Sequence, residues 1–365
     1  MKRLFSIVTM ALVAATVVAQ DKPKDEPKKP SHAERFQLII QDWQKAQEPI
    51  RKEFESVKDE DERDRLLAGL PARFAPFAEA AVKLAEENLK DAATFKMLMF
   101  AMMVGNSEKA ADLLATTQQD NAQIQDVCMM LGTQADNNPA AEKLLKSLYE
   151  KATKKELRGC SGYGYAQIVF RRSEAAGAKD AGKLQKIAED TAAAVEKDFG
   201  DVKAGESTLK VLAAKMLFEI RNLAVGRNAP EVVSEDLEGK KTNLSSYRGK
   251  VVVLDIWATW CGPCRAMIPH EREMVEKLKD QPFALISISA DDEKDTLKKF
   301  LEKEKMPWTH WWEGRKEAGI LKDWNVQFFP TIYVIDAKGV IRHKGLRGKK
   351  LEAAVDNLVK EAKQK

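Results

Sequence analysis

Val251-Val252-Val253-Leu254-Asp255-Ile256-Trp257 runs directly into Ala258-Thr259-Trp260-Cys261-Gly262-Pro263-Cys264, and the reading of this stretch decides the fold. The first seven residues form a nearly continuous apolar run, the pattern of a strand covered on both faces. A helical pattern follows from Arg265 to Lys279, so the two cysteines fall at a strand-to-helix junction. Three positions apart in a first helical turn, their sulfurs share one side and lie close enough to bridge. Unpaired backbone N–H groups at such a junction favour a thiolate on the outer cysteine, Cys261. Lowering a thiol pKa from about 8.5 to about 7 corresponds to roughly 2 kcal/mol of thiolate stabilisation. Cys261 is therefore the candidate nucleophile toward a disulfide and Cys264 the candidate resolving thiol. Pro263 fits this place because first-turn N–H groups have no intrahelical partner to lose.

Two blander readings compete. A Cys-x-x-Cys pair can be half of a zinc site, but a second ligand pair is missing. Cys128 and Cys160 stand 32 positions apart and the four histidines are scattered, so no metal is expected. A purely structural bridge is the other reading, and a span this tight at a helix start argues against it.

Outward from this stretch the α/β texture continues. A second buried strand is expected over Phe283 to Ser289, then a charged helix from Glu293 to Lys305. A strand from Thr331 to Ile335 turns at Asp336-Ala337-Lys338-Gly339 into another, Val340 to His343, and a last helix runs from Lys349 to Lys360. The closing hairpin makes the sheet mixed. Upstream, from about Ala33 to Val225, almost every segment has helical character: Phe36, Ile39, Ile40 and Trp43 recur at the spacing of one helix face. Gly69-Leu70-Pro71, Gly105-Asn106, Asn137-Asn138-Pro139, Gly159 and Gly200 are the expected breaks between helices. The fold class is thus an all-α domain, 35–225, followed by an α/β domain with a mixed sheet flanked by helices, 226–365.

The chain of 365 residues is long enough for these two domains. Its 60 basic and 56 acidic residues nearly balance, which gives no argument for nucleic acid as a partner. Lys2 and Arg3 precede an uncharged run, Leu4 to Ala19, ending in small residues, which reads as a signal peptide over 1–19. The run is too short to span a bilayer, so no stable membrane insertion is expected after cleavage. Asp21 to Pro30, with three prolines and no large apolar residue, reads as part of a flexible linker over 20–34.

From Gly226 onward the chain resembles the thioredoxin superfamily, and within it the exported TlpA/ResA-type thiol–disulfide oxidoreductases. The residues that carry the resemblance are Ala229-Pro230, Leu244-Ser245-Ser246-Tyr247-Arg248-Gly249-Lys250, the Trp257 to Cys264 segment, Pro269, and Phe329-Pro330-Thr331. It implies a Cys261/Cys264 redox-active disulfide and a cis bond at Pro330 facing it. It also implies a substrate groove at Trp260, Gly262, Pro263, Phe329 and Pro330. Asp255 takes the place of a buried acid beneath Cys264, able to relay its proton. Many such enzymes carry a further acid three residues past the resolving cysteine; Met267 stands there, which puts a mechanism through that acid in doubt. Ala258 replaces the threonine that peroxidases of this superfamily place before their reactive cysteine.

The resemblance further implies disulfide-containing protein substrates, a membrane thiol electron donor, a periplasmic or cell-envelope location in a bacterium, and no bound cofactor. The leading expectation is a reductase. An oxidase or isomerase, or a helical binding protein with an accessory redox domain, are the alternatives. Four of the seven tryptophans, Trp308, Trp311, Trp312 and Trp324, crowd one stretch, as core packing or as a docking apron. His270 reads as a surface residue. Cys128 and Cys160 are open to a bridge in an oxidising compartment or to burial as inert thiols.

Overall fold

The computed structural model describes residues 29–135, 138–175, 180–314 and 319–364. The expected signal peptide and most of the expected linker lie outside the described residues. Ser31 caps helix α1 (His32–Ser56), and Glu34 reaches back to the Ser31 N–H at 2.6 Å. This reciprocal capping box satisfies two otherwise orphaned donors, so the helix starts inside the segment expected to be spacer. Phe36, Ile40 and Trp43 bury one face of α1, and the Trp43 ring meets Phe74 and Phe100 edge-on at 6.0 and 5.4 Å.

Helix α2 (Glu60–Glu87) runs through Gly69-Leu70-Pro71, where a break is expected from sequence. An interior proline removes one ladder hydrogen bond and crowds the preceding turn. Burial of Phe74, Ala78, Ala81, Val82 and Ala85 on one face outweighs that local cost. Helices α3 (Thr94–Gly105), α4 (Glu108–Thr117), α5 (Ile124–Gln134), α6 (Pro139–Lys151), α7 (Lys155–Glu174), α8 (Ala181–Phe199) and α9 (Leu209–Phe218) follow. Gly105-Asn106 is a true break, with Asn106 at φ 51°, and Asn138 caps α6 through Ala141 N–H. Gly159 does not break a helix but lies inside α7. A Cβ on Gly164, in the same helix, would sit 2.4 Å from the Cys128 carbonyl, so α7 and α5 touch backbone to backbone.

The chain divides into two compact units. One holds the helices up to Arg172 together with Asp190–Ala213, and the other holds Ser173–Glu189 together with Ala214–Lys365. Short pieces of the helical region thus group with the sheet rather than ending at 225. Lys344 binds Glu174 at 2.8 Å and Glu219 at 3.0 Å within that second unit.

The sheet contains β3 (Val233–Asp236), β4 (Lys241–Asn243), β5 (Val251–Trp257), β6 (Phe283–Ser289), β7 (Thr309–Trp312), β8 (Thr331–Ile335) and β9 (Ile341–Lys344). A separate two-residue ribbon pairs β1 (Lys203–Ala204) with β2 (Ser207–Thr208). The seven strands lie in the order β4-β3-β7-β6-β5-β8-β9. Strand β5 is parallel to β6 and antiparallel to β8, so it sits inside the sheet with both edges paired. Val252, Leu254 and Ile256 face one core with Trp311, Trp324 and Tyr333; Val251 and Val253 face another with Met274, Leu278, Leu351 and Val355. Helices α10 (Gly262–Arg265), α11 (Ile268–Lys277), α12 (Lys294–Lys303), α13 (Ile320–Asp323) and α14 (Gly348–Lys363) complete this unit. The fold is a mostly helical region, interrupted by the β1–β2 ribbon, followed by a thioredoxin-fold domain with a mixed sheet.

The close approach at Gly164 sets a contrast with Gly69, which has nothing within 4 Å of its missing Cβ. Gly164→Ala should lower stability by about 2–3 kcal/mol through overpacking, whereas Gly69→Ala should raise it by up to about 1 kcal/mol. Denaturant titration of the full-length protein reads both; equal effects would refute the backbone contact.

Candidate active site

Strand β5 leads through Ala258-Thr259-Trp260 to Cys261, which caps the single turn of α10. The Cys261 sulfur accepts from the Cys264 N–H at 3.2 Å, and this donor favours negative charge on Cys261. The helix expected as one piece from Arg265 to Lys279 is divided at Ala266-Met267, and α11 starts afresh with Pro269 in its first turn. Cys261 and Cys264 are joined by a disulfide with Cα atoms 5.3 Å apart. Both are buried, at 6% and 3% exposed, while Gly262 and Pro263 are exposed beside them.

The remaining residues assigned to the site from sequence converge here. The Phe329–Pro330 bond is cis. Phe329 packs against the cluster that holds Cys261 and Cys264, and its ring meets that of Trp260 edge-on at 5.7 Å. Trp260 is 56% exposed and Phe328 60% exposed, which leaves apolar surface in the loops leading to Cys261 and Pro330. The tryptophan-rich stretch is core instead: Trp311 and Trp324 are buried, and Trp308 donates its indole N–H to Ser287 at 2.9 Å. His270 is half-buried rather than on the surface. Cys128 and Cys160 are free, buried thiols in the helical unit. Burial pushes both thiols up, Cys160 to about 11, which leaves them inert at neutral pH.

Asp255 lies on the same face of β5 as Val251, Val253 and Trp257, beside Ser287 on β6 and Ile332 on β8. It is 4% exposed. Burial pushes its carboxyl up to about 7, with the Arg347 charge and the Ser287 hydroxyl pulling the other way. Its Oδ1 has no hydrogen-bond partner among the described residues.

Two more acids were not legible as site residues. Asp291, just after β6, accepts from Thr259 N–H at 3.1 Å, from the Thr259 hydroxyl at 2.7 Å and from the Ser289 hydroxyl at 2.7 Å. It clamps the loop two residues before Cys261. Glu271 occupies the buried face of α11 together with Ile268 and Met274 and is 2% exposed. The signal for Glu271 was a charged residue at a position where helical spacing demands an apolar one.

A Cys-x-x-Cys turn at the end of a central strand, packed against a cis-proline loop over a buried acid, defines a thioredoxin-type thiol–disulfide enzyme. Comparison with known proteins agrees. Residues 225–344 match the AhpC/TSA family. The thiol–disulfide oxidoreductase ResA of Bacillus thuringiensis subsp. konkukian is 30% identical over 138 residues, covering 38% of this chain and 78% of that protein. The thioredoxin-like protein YneN of Bacillus subtilis is 32% identical over 130 residues, covering 34% of this chain and 74% of that protein. Among solved structures, the thioredoxin domain of a Bacteroides vulgatus thiol–disulfide oxidoreductase is 30% identical with a TM-score of 0.36, covering 38% of this chain and 99% of that domain. Through its C-terminal domain the chain belongs to the ResA-like thiol–disulfide oxidoreductases.

Two outcomes test the acids. Asp291→Ala leaves two donors of Thr259 without an acceptor and should cost about 2–4 kcal/mol in denaturant unfolding. For Asp255, the folded protein keeps the proton over the range where the unfolded chain has lost it. Stability from this group is therefore full below about pH 4 and declines as pH rises toward about 7. Asp255→Asn should flatten that decline by up to about 1.4 kcal/mol per pH unit. Parallel slopes for the two proteins between pH 4 and 8 would show that Asp255 is ionised in the fold.

Proposed function

We propose that this protein is an exported reductase of disulfides in extracytoplasmic proteins. The observation that carries the reading is the asymmetry of the dithiol. Cys261 has a backbone N–H aimed at its sulfur and exposed Trp260 beside it, while Cys264 is the more buried thiol. In the reduced enzyme the Cys261 thiolate attacks a substrate disulfide; one substrate sulfur leaves and a mixed disulfide forms. Cys264 gives its proton to the Asp255 carboxylate, and its thiolate attacks the Cys261 sulfur. The Cys261–Cys264 bond forms, the bond to substrate breaks, and the second substrate sulfur leaves with the electron pair. Two electrons pass from the dithiol to the substrate, which ends as two thiols.

The reducing direction is supported by three features. Gly262-Pro263 places no cationic side chain between the cysteines. The buried acid Asp255, on the strand that leads to the cysteines, opposes further negative charge, and among the described residues one N–H is aimed at Cys261. A thiolate that is not over-stabilised belongs at the reducing end of the range, from about −120 to about −270 mV. Export is supported by the charged-then-apolar sequence of residues 1–19. The electron donor is a membrane thiol carrier and the substrates are folded or folding proteins with disulfides, met through Trp260, Phe328, Phe329 and the Pro330 loop.

Full-length protein equilibrated with glutathione or dithiothreitol buffers should show a potential below about −220 mV. Insulin reduction should vanish in Cys261→Ser, and Cys264→Ser should accumulate mixed disulfides through Cys261. A potential above about −170 mV would overturn the reductase reading.

A further inference from the structure

Glu271 is buried yet unexplained by the reaction as described. It projects from α11 into the face lined by Ile268 and Met274, 2% exposed, and its Oε1 has no hydrogen-bond partner among the described residues. Asp255 lies on the face of β5 whose Val251 and Val253 share a core with Met274 of that helix, and its Oδ1 is likewise without a partner among the described residues. Leaving one such oxygen dry and unpaired costs on the order of 1–3 kcal/mol, so two beside each other call for a function. We propose that Asp255 and Glu271 form one buried carboxyl pair that holds a shared proton, and that Glu271 is the positioning residue which sets the protonation of Asp255 for its exchange with Cys264.

Asp255 is the charged neighbour that acts on Glu271, while Arg347 is the charged group that acts on Asp255. Met267 and, from α11, Ile268, Met274 and Val275 join apolar cores, one of them shared with Val253, Ile332, Val334, Leu351 and Val355 of β5, β8 and α14. The flanking charged residue Arg272 turns away, donating to the Lys305 carbonyl at 2.7 Å and to Glu304 at 3.5 Å. His270, the other flanking residue, has its Nε2 buried and without a partner. Around Asp255, β6 contributes the Ser287 hydroxyl, β8 contributes apolar Ile332, and the start of α14 contributes Arg347. Arg347 also donates to the Pro330 carbonyl at 3.4 Å, so its charge is divided between the acid and the cis-proline loop. Burial pushes the Glu271 carboxyl up, and the Asp255 charge pushes it further. Two carboxylates in one apolar space cannot both ionise at neutral pH, and the pair carries at most one negative charge. With that single charge it accepts the proton of Cys264 and becomes neutral; on re-reduction it gives the proton back. Asp255 lies on the face of β5 that carries Trp257 against the cysteines, so the proton enters and leaves through Asp255. Glu271 keeps the pair near the charge state that can accept it.

The kinetic part of this inference rests on the proposed reductase cycle, but the pair itself can be read without turnover. Carboxyl carbon NMR of full-length protein labelled at Asp and Glu follows each acid against pH in wild type, Glu271→Gln, Glu271→Met and Asp255→Asn. Losing the neutral Glu271 carboxyl, which shares its proton with the Asp255 carboxylate, should raise the Asp255 midpoint in both Glu271 variants, more in Glu271→Met, and Asp255→Asn should lower the Glu271 midpoint by about one pH unit. An unmoved Asp255 midpoint in a folded Glu271 variant overturns the pair. Stopped-flow release of a coloured thiolate from an aromatic disulfide then follows resolution by Cys264. Its pH profile should shift with the Asp255 midpoint in Glu271→Gln, whereas a structural role would slow it equally at every pH, and that result overturns the positioning role. Reciprocal shifts in a protein that reduces no disulfide would keep the pair and refute only the reductase reading.

Discussion

Strand β5 is covered on both faces, and that burial constrains everything around the dithiol. Its two edges are paired, to β6 and to β8, and its faces pack into separate cores. Such a strand is rigid, and the residues leaving its end inherit a fixed direction. Thr259 is then clamped by Asp291, so Cys261 arrives in a defined place for its sulfur to meet the Cys264 N–H. The same burial leaves Asp255 nowhere to meet bulk water. A carboxyl there either stays protonated or shares its charge, and both outcomes place a proton within the core that supports the cysteines.

How much of this could be read from sequence follows from which signals are local. The strands Val251–Trp257, Phe283–Ser289 and Thr331–Ile335 appear with the bounds their apolar runs suggested, because a strand buried on both faces is marked by composition alone. Strand β7 was not legible, since Thr309-His310-Trp311-Trp312 has neither alternation nor a β-branched run; pairing with β6 and β3 makes it a strand. The expected break at Gly69-Leu70-Pro71 failed for the converse reason: local propensity argued for a stop, and a buried aromatic face carried the helix through. At the site, Cys261, Cys264 and Asp255 stood out by spacing and by charge in an apolar run. Asp291 did not, because its role depends on a loop 32 residues away in sequence that only the sheet brings near. Glu271 did leave a trace, a lone acid on the apolar stripe of α11.

The helical unit carries information of a different kind. Its glycines are contact surfaces more than hinges, and α7 packs on α5 so closely that no side chain fits at Gly164. Cys128 and Cys160 sit in that unit as buried thiols, behaving as small apolar side chains. Redox chemistry in this chain is therefore concentrated at Cys261 and Cys264, where a thiol meets a backbone donor and a surface that substrate can reach.

The three buried acids near the dithiol differ in what surrounds them, and the difference assigns their tasks. Asp291 accepts hydrogen bonds from a backbone N–H and two hydroxyls, an arrangement that suits a permanent carboxylate acting as a clamp. Among the described residues, Asp255 and Glu271 each keep an oxygen without a donor, in cores that hold Ile268, Met274 and Ile332. Apolar lining raises the cost of charge, and raised cost is what lets a carboxyl hold a proton at neutral pH. A single added donor on that lining would lower the cost and turn the proton store into a second clamp. The apolar character of Met267, Ile268 and Met274 thus bears directly on whether the proposed carboxyl pair can hold a proton at neutral pH.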